Sequence, residues 1–352
     1  MLLIGMICAI VASGFMYHNL RRNWPIFVLD MKYNLLAIKE VLNDLRSSKK
    51  NKNNCLPQPG RIAIVTGGSR GIGVEVVKML LELDMEVIIA CRIPSAGEKT
   101  ILQIRESGVK TGQAKVYTLD NTSLESVKQF ATKIKRDYKQ IHILINNAGI
   151  MFHPYSETVD GFEEHWSVNY LSHFLLTALL LPLLKAGGQP NQVSRIVNVT
   201  SCAHLLGKIN FHDVNNKYAS LINKFLSKCA YAQSKLAQEI FTKGLHHLLK
   251  ERQHHVQVYS VHPGVVFTEL FMNSFIWKYR LLYKLILKTP RQGAISIVYA
   301  AVNKAIENHG GMYINNCCPG EVHPDALNSS IQEKLFELSL QQIQLKDFFQ
   351  YV

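Results

Sequence analysis

The sequence predicts an α/β fold with a doubly wound parallel sheet, forming a single domain behind an N-terminal membrane anchor. After residue 60, short apolar runs alternate with longer segments of helical period. The runs are apolar throughout, as in strands that helices cover on both faces, and a glycine-rich turn follows the first of them. This alternation implies right-handed βαβ units. The expected strands are 61–66, 86–91, 114–119, 141–145, 193–200 and 255–261, with helices near 71–84, 95–108, 123–139, 160–185 and 229–251.

The composition excludes several classes of protein. Of the 352 residues 47% are hydrophobic and 18% are charged, which excludes a disordered or collagen-like chain. The seven cysteines are too few and too scattered for a disulfide framework in a chain of this length. Neither a CxxC nor an HExxH pattern occurs, so we expect no metal site, and we expect the fourteen histidines on solvated faces.

The first element is a candidate membrane anchor. Residues 1–20 carry no charged side chain and are followed at once by Arg21 and Arg22. As a helix they would reach roughly 30 Å, the hydrocarbon thickness of a bilayer. The alternative, a cleaved signal peptide, prefers positive charge before the apolar run rather than after it. We therefore expect an uncleaved single-pass anchor with the main domain on the cytosolic side.

Residues 21–60 predict a juxtamembrane helix and a linker. Six apolar residues recur there at alternating intervals of three and four, which is typical of one apolar stripe on a helix. The helix has three possible roles: it lies on the membrane surface, packs on the main domain, or serves as a spacer. The polar stretch 47–60 ends in prolines and is typical of a linker. The stripe comprises Val28, Met31, Leu35, Ile38, Leu42 and Leu45.

The turn after the first strand is suited to a dinucleotide. Gly67 permits a tight turn, Gly71 lets the backbone approach a pyrophosphate, and Gly73 allows close packing of helix on sheet. A flexible glycine-rich turn without a ligand is the alternative. In the strand-turn-helix context, the pattern favours a Rossmann-type nucleotide-binding fold.

The spacing GxxxGxG in this turn resembles the cofactor loop of the short-chain dehydrogenase/reductases. The resemblance continues through Asn146–Gly149, Asn169, Ser201, Tyr231–Lys235 and Pro263–Gly264, and covers roughly residues 61–315. It implies a catalytic domain over residues 61–320 that oxidises or reduces an alcohol or carbonyl with a nicotinamide cofactor. The cofactor contacts it implies, besides the residues discussed next, are Gly67, Ser69, Gly71, Ile72, Gly73, Asn147, Ala148, Gly149, Pro263, Gly264 and Thr268.

The end of the second strand indicates which cofactor is used. A carboxylate there would hold the ribose 2′-OH of NAD, but the sequence has Arg92, and Arg70 lies in the glycine turn. Two guanidinium groups suit a 2′-phosphate, so we expect NADP(H) to be preferred, with NAD(H) possible. The alternative is that Arg92 only faces solvent. Asp120 resembles the family's adenine-binding acid, although it is equally compatible with capping the helix near residue 123.

Four residues form the expected catalytic set. Tyr231 and Lys235 are four apart on a predicted helix and therefore share one face. The resemblance implies that Tyr231 is the general acid/base and that Ser201 hydrogen-bonds the substrate oxygen. It also implies that Lys235 binds the nicotinamide ribose and lowers the pKa of Tyr231, and that Asn169 holds a water in a proton relay.

Two further segments point to the substrate. The insert 202–228 resembles the retinol dehydrogenase-like branch of the family. Residues 160–177, 230–242 and 288–302 resemble its polyprenol dehydrogenase-like members. This implies a lipophilic isoprenoid alcohol or aldehyde, with retinoids second. His204 in the insert either touches substrate or packs the loop. The expected lid, 265–289, is basic and rich in bulky apolar residues, as in a helix at a bilayer interface or an ordinary lid, and Thr289-Pro290 predicts the start of the next helix.

The charge distribution favours a membrane as the acidic partner. The net charge is +13; residues 1–60 contribute +5 (8 basic, 3 acidic) and residues 275–291 another +5 (5 basic, none acidic). No basic patch is interleaved with aromatics on a recognition module, so we expect no nucleic-acid partner. We expect an endoplasmic reticulum or lipid-droplet membrane, and a homodimer is possible. A dinucleotide-sensing interaction protein is the alternative from another class, and no role is assigned to residues 321–352.

Overall fold

The computed structural model describes residues 27–47, 51, 55–217, 223–273 and 284–352. Its centre is one sheet in the order β3-β2-β1-β4-β5-β6-β7-β8. Strands β1 to β7 are parallel and β8 pairs antiparallel with β7. The predicted fold class is confirmed. The strands are β1 Ile62–Thr66, β2 Glu86–Cys91, β3 Gln113–Thr118, β4 Ile143–Asn146, β5 Ser194–Val199, β6 Val256–His262, β7 Tyr313–Asn315 and β8 Cys318–Pro319.

Helices cover both faces of the sheet. Helices α2, α3 and α7 enclose one apolar core, and α4, α5, α6 and α8 enclose the other. Helix α1 lies outside these two layers and contacts the domain through buried carboxylates and through Tyr33. The helices are α1 (residues 27–47), α2 Ile72–Glu82, α3 Pro94–Glu106, α4 Leu124–Asp137, α5 Glu164–Gly187, α6 Asn223–Glu251, α7 Pro290–Val302 and α8 Ser329–Ile343.

Strand β3 departs from the expectation that every strand is buried on both faces. It is the edge strand beside β2, and none of its six residues is fully buried. An edge strand has a neighbour on one side only, so polar side chains are tolerated there. The short strands β7 and β8 were not predicted, because three and two residues carry too little pattern.

Helix α5 contains the one segment, among the described residues, that is long and apolar enough to cross a membrane. Its hydrophobic window is 89% buried inside the domain. It is therefore accounted for as a core helix of the α/β domain. The expected anchor, residues 1–20, lies outside the described residues.

The expectation that the histidines lie on solvated faces is wrong for several of them. His165 and His204 are fully buried, and His173 and His262 nearly so. His173 shows the reason, since a buried imidazole can join loops that have no other partner. Its Nδ1 donates to the Asn169 carbonyl at 3.2 Å, and its Nε2 accepts hydrogen bonds from Thr66 Oγ1 at 3.0 Å and Asn121 Nδ2 at 3.1 Å.

The C-terminal residues 321–352 pack into the same core. Phe336 on α8 and Phe348 after it stack on Phe174 of α5 at 5.3 and 5.0 Å between ring centroids. The hydroxyl groups of Tyr170 and Ser339 are hydrogen-bonded at 2.6 Å. Burying such rings contributes on the order of 2 kcal/mol each, so the segment stabilises the helix layer next to the site.

Candidate active site

The glycine turn joins the end of β1 to the start of α2 and has the shape of a phosphate cradle. Gly67 and Gly71 have φ of 65° and 58°, a region that favours glycine. A Cβ on Gly73 would lie 2.3 Å from the Gly67 carbonyl oxygen, so the helix packs against the turn only with glycine there. Helix α2 begins at Ile72 with no side-chain cap at Gly71, leaving its first amides directed out of the helix. These features fit a bound pyrophosphate.

The turn lies at the switch point of the sheet, where β1 neighbours β4 and the strand order reverses. Thr66 Oγ1 accepts the backbone N–H groups of Asn147 and Ala148, both at 2.9 Å. The Asn147 side chain donates to the Thr66 carbonyl at 2.8 Å. The two loops expected to line the cofactor are thereby fixed to one another.

The residues expected to choose the cofactor lie around the end of β2. Arg92 directly follows this strand, and both Arg92 and Arg70 are exposed. The Ser69 carbonyl accepts Thr100 Oγ1 at 3.2 Å, which ties the turn to α3. Both residues therefore follow strands at the carboxyl end of the sheet, and both side chains are exposed.

Asp120 does not cap the helix that follows it. Its Oδ1 accepts the backbone N–H and the hydroxyl of Thr122 at 3.0 and 2.7 Å, an Asx turn. Ser123 is the N-cap of α4 and accepts the Ser126 N–H. The capping interpretation of Asp120 is therefore wrong, since Asp120 shapes the loop before the cap; the adenine contact stays a prediction.

Three of the four predicted catalytic residues lie close together, one just after β5 and two on α6. Ser201 follows β5, and its hydroxyl lies near enough to the Tyr231 phenol to influence its pKa. The Lys235 ammonium lies 5.9 Å from the centroid of the Tyr231 ring and donates to the Val199 carbonyl and to Gln238 Oε1, both at 2.9 Å. Tyr231 and Lys235 are each 5% exposed. A proton donor, an acceptor and a buried cation thus share one location.

Burial dominates the electrostatics of this location. It raises the pKa of the Tyr231 phenol, against the opposing effect of the Ser201 hydroxyl. It lowers the pKa of Lys235 to about 7. In the protein without a nicotinamide, burial is thus the largest influence on the Tyr231 pKa. The expectation that Lys235 and a bound nicotinamide together lower this pKa stays a prediction.

Asn169 lies in a π-helical turn, Ser167–Leu171, within α5. π-Helical turns occur often at functional sites. Its Oδ1 accepts the Ile150 N–H at 2.8 Å, and its Nδ2 donates to the Ile150 carbonyl at 3.1 Å and to Ser234 Oγ at 2.9 Å. This side chain therefore fixes the backbone beside Gly149 and connects it to the helix of Tyr231 and Lys235.

The Pro263–Gly264 element is held by two residues that sequence reasoning missed. Asp44 of α1 accepts the Val265 N–H at 2.8 Å and pairs with Lys288 at 2.8 Å, and both side chains are almost fully buried. Lys288 also donates to the Pro263 carbonyl at 3.2 Å. A Cβ on Gly264 would collide with this pair. A buried charge is rarely signalled by local sequence, since it depends on a partner over two hundred residues away.

The two ends of the expected lid are hydrogen-bonded to each other next to Lys288. Val266 and Lys288 form a parallel bridge, and Phe267 N–H donates to the Lys288 carbonyl at 2.9 Å. Thr289 caps α7 in a capping box with Gln292, as predicted. Thr268 lies opposite the glycine turn, 3.7 Å from where a Gly71 Cβ would be. Residues 274–283 of the lid and 218–222 of the insert lie outside the described residues.

An apolar wall adjoins Tyr231 and was also missed. Met151 and Ala203 pack against Tyr231, with Tyr33, Phe152 and Phe271 at the margin. The Phe152 ring lies edge-on to Tyr231 at 5.5 Å and to Tyr33 of α1 at 5.7 Å. Phe152 has φ of 54°, a conformation rarely adopted by an aromatic residue outside functional sites. The one sequence signal was its place just after Gly149.

His204 packs behind this site rather than facing it. It is fully buried, its Nδ1 donates to the Ser201 carbonyl at 2.8 Å, and its ring stacks on Tyr313 at 4.7 Å. Burial lowers its pKa to about 4, so it is neutral at physiological pH. Of the two interpretations of His204, the structure supports loop packing.

Comparison with known proteins assigns the family. Residues 61–213 match the short chain dehydrogenase family model. The chain is 40% identical to polyprenol dehydrogenase of Homo sapiens over 287 residues, covering 80% of this chain and 85% of that protein. The chain belongs to the short-chain dehydrogenase/reductase family. It is an oxidoreductase of that family, and retinol dehydrogenase 11 of Mus musculus is 39% identical over 319 residues, covering 89% of this chain and 96% of that protein.

Solved structures agree with the family assignment. An uncharacterised protein from Mycobacterium paratuberculosis superposes with a TM-score of 0.66 at 29% identity, covering 83% of this chain and 96% of that one. The RhlG/NADP active-site complex of Pseudomonas aeruginosa superposes with a TM-score of 0.57 at 25% identity, covering 74% and 95%. The short-chain dehydrogenase/reductase resemblance seen in the sequence is thereby confirmed.

Proposed function

We propose that this short-chain dehydrogenase/reductase interconverts a lipophilic isoprenoid alcohol of the polyprenol or dolichol class and its aldehyde, at a membrane, with NADP(H). The observation that carries the proposal is the apolar wall formed by Met151, Phe152 and Ala203 directly beside Tyr231. A wall of this kind recognises hydrocarbon and offers no partner for a polar or charged substrate. A relative with 40% identity bears the name polyprenol dehydrogenase, which supports the same class.

The proposed chemistry assigns a distinct task to each catalytic side chain. Bound nicotinamide would supply or accept the hydride. Ser201 donates a hydrogen bond to the substrate oxygen, and Tyr231 delivers a proton to that oxygen as negative charge builds on it. The raised pKa of Tyr231 keeps the phenol protonated near neutral pH, which suits carbonyl reduction. Oxidation of the alcohol requires the phenolate and is therefore expected to accelerate as the pH rises.

Lys235 and Asn169 prepare this proton transfer. With its pKa lowered to about 7, Lys235 changes charge in the physiological range. In its ammonium form it favours the Tyr231 phenolate electrostatically and presents donors to a ribose hydroxyl. Asn169 acts by position, because its amide fixes the Ile150 backbone and Ser234. We retain its role in a water-mediated relay as part of the proposal.

The preference for NADP(H) rests on Arg70 and Arg92. Both are exposed beside the glycine turn and the end of β2, where a 2′-phosphate would lie, and the chain has no carboxylate there until Glu98. Guanidinium groups bind phosphate by paired hydrogen bonds. The Pseudomonas aeruginosa relative was solved with NADP, which is consistent with this choice. Residues Gly67 to Gly73 and Asn147 to Gly149 would hold the pyrophosphate and the cofactor's inner ribose.

The membrane location rests on the N-terminal sequence. Residues 1–20 would form the single-pass anchor, and Arg21 and Arg22 favour a cytosolic catalytic domain. An endoplasmic reticulum or lipid-droplet membrane would supply a long isoprenoid substrate. Asn198 lies in an N-x-[ST] pattern but is fully buried in β5, which agrees with a face that is not glycosylated.

A retinoid is the second candidate substrate. Retinol dehydrogenases 11 and 12 are as similar to this chain, at 39–40% identity, as polyprenol dehydrogenase is. The deciding experiment is an NADPH-coupled screen of polyprenals, retinals, steroids and alkanals with the detergent-solubilised full chain. The proposal expects polyprenals to give the highest kcat/KM. A higher kcat/KM for retinal would replace it with the second candidate, and no turnover of any carbonyl would favour a dinucleotide-sensing interaction protein.

A further inference from the structure

We propose that helix α1 lies on the bilayer interface along one outward face and thereby holds the entrance of the active site against the membrane. The face is named here the outer stripe and consists of Met31, Leu35, Ile38, Leu42 and Leu45. The seating of the helix is independent of the reaction catalysed. Its consequence for substrate entry rests on the proposed function.

The outer stripe is the most continuous exposed apolar surface of α1. Its five side chains are 45%, 60%, 58%, 48% and 53% exposed. Because they alternate at intervals of four and three, they form one line down the helix, about 21 Å long at 1.5 Å per residue. Lone exposed leucines are ordinary on a protein surface, whereas five in a line mark an interaction surface.

The opposite face of α1 is fixed to the catalytic domain, so the stripe cannot turn inward. Glu40 and Asp44 are 5% and 4% exposed. Glu40 accepts Asn315 Nδ2 at 2.8 Å, and Asp44 pairs with Lys288 at 2.8 Å. Rotating the helix to bury the stripe would leave these carboxylates and Lys288 without partners, at a large energetic cost. The helix therefore reverses the usual arrangement, with buried carboxylates on its inner face and an apolar stripe on its outer face.

The charges of α1 favour an anionic lipid surface as the occupant. All three acidic residues of the described helix turn to the domain: Asp30 pairs with Lys228, while Glu40 and Asp44 are buried. The basic residues Lys32, Lys39 and Arg46 recur every seven positions, are all exposed and flank the outer stripe. Lys39 also reaches Glu321 at 2.9 Å, in a pair more than 60% exposed on both sides. Such a row of basic side chains can bind the phosphate groups of lipids. It would repel the same basic row on a second copy of the chain, which disfavours dimerisation through this face.

The position of α1 in the chain brings it to the membrane. Six residues, 21–26, separate it from the proposed anchor, and six extended residues reach at most about 20 Å. The first turn of the helix is therefore held close to the headgroup layer. Amphipathic helices at that depth bury their apolar face into the boundary with the acyl chains.

The inner face of the same helix reaches the active site. Tyr33 contacts Phe152 at 5.7 Å and donates its hydroxyl to the Lys228 carbonyl, one turn before Tyr231. The apolar wall thus lies about one helix diameter, roughly 10 Å, from the surface that would face lipid. An isoprenoid could pass from the bilayer to Tyr231 with little exposure to water.

Photo-crosslinking of the unmodified full chain tests the seating. The protein is reconstituted in phosphatidylcholine/phosphatidylserine vesicles that contain a phosphatidylcholine with a diazirine on its acyl chain, and adducts are mapped by mass spectrometry. The outer stripe should be labelled about tenfold above exposed apolar residues elsewhere, as expected for side chains inserted in lipid. The controls are Leu102 and Val159, which are 63% and 86% exposed. Stripe labelling at the control level, with residues 1–20 labelled, would overturn the proposal.

A charged stripe tests the consequence for substrate entry. The double variant Leu35→Glu/Ile38→Glu is compared with Leu102→Glu in the same vesicles. Loss of two inserted side chains should abolish stripe labelling and raise the KM for a vesicle-embedded isoprenal about tenfold or more. The kcat, and turnover of a short water-soluble aldehyde, should not change. An unchanged KM would refute the link to entry. Absence of turnover with every aldehyde would count against the proposed reaction alone, because the labelling result does not depend on activity.

Discussion

The buried ion pair Asp44–Lys288 joins α1 to the active site, and a substitution at Asp44 tests this attachment directly. Both side chains are almost fully buried and 2.8 Å apart, and Asp44 also accepts the Val265 N–H and Asn316 Nδ2. Asp44→Asn keeps the size of the side chain and removes its charge. The single amide oxygen cannot accept from both Lys288 and the Val265 N–H, and Lys288 loses its counter-charge. Its other acceptors, the Pro263 carbonyl at 3.2 Å and Asn316 Oδ1 at 2.6 Å, are neutral.

The expected magnitude follows from this burial. Removing one partner of a buried ion pair costs about 3–5 kcal/mol of unfolding free energy. We expect about 3 kcal/mol for Asp44→Asn, because the amide has the same size as the carboxylate and keeps one acceptor oxygen. In a chain of this size, that corresponds to a fall in Tm of roughly 4 °C. The Pro263–Gly264 element loses its anchor as well, so the affinity for NADPH should fall together with stability.

A second ion pair provides the matched control. Lys39–Glu321 also joins α1 to the domain, but its side chains are 62% and 66% exposed, so Glu321→Gln should cost less than about 1 kcal/mol. Both variants are measured by urea unfolding and NADPH titration of the full chain in detergent. The double variant Asp44→Asn/Lys288→Met isolates the coupling, since the lysine charge is then also removed. If Asp44→Asn costs no more than Glu321→Gln, the described docking of α1 is refuted.

Three further outcomes follow from the site. Tyr231→Phe should lower turnover about 10²–10⁴-fold, the contribution of a positioned proton donor, with NADPH affinity retained in fluorescence titration; turnover near the parent value would contradict the mechanism. Arg92→Asp should weaken NADPH binding about tenfold or more relative to NADH, because a carboxylate repels the 2′-phosphate; an unchanged ratio of the two affinities would remove Arg92 from cofactor choice. Burial lowers the pKa of His173 from 6.5 to about 3, so the unfolded state binds the extra proton between these values and stability is lost as the pH falls below 6.5. His173→Asn should therefore reduce the loss of unfolding free energy between pH 7 and pH 5 by about 2 kcal/mol, and equal losses in variant and parent urea unfolding would rule this out.

The fold was predictable from the sequence because its determinants are local. Strand β2 was predicted with its observed bounds, and β1, β4, β5 and β6 to within two residues at each end, since buried parallel strands are continuous apolar runs. The glycine turn and the helix start at Thr289 were equally visible, because each depends on a few adjacent residues with definite backbone requirements. The edge position of β3 was not visible, since it depends on which strands lie beside it.

The site was predictable only in part. Ser201, Tyr231 and Lys235 were identified by their order and spacing, and the fold brings them together. The apolar wall required the structure, because Tyr33, Phe152 and Ala203 come from three distant segments. The electrostatics required it too, since a pKa depends on burial, and only the structure shows that Tyr231 is buried and that burial raises its pKa.

The sequence by itself determined the family and the sheet, and it predicted a catalytic set. It also showed the apolar stripe of α1, but left open whether the helix lies on a membrane, packs on the domain or acts as a spacer. The tertiary structure decided that the helix packs on the domain through Glu40 and Asp44 and turns its apolar side outward. The physical reason is that helical periodicity records which residues share a face, whereas the direction of that face is set by partners far away in the chain, here Lys288 and Asn315.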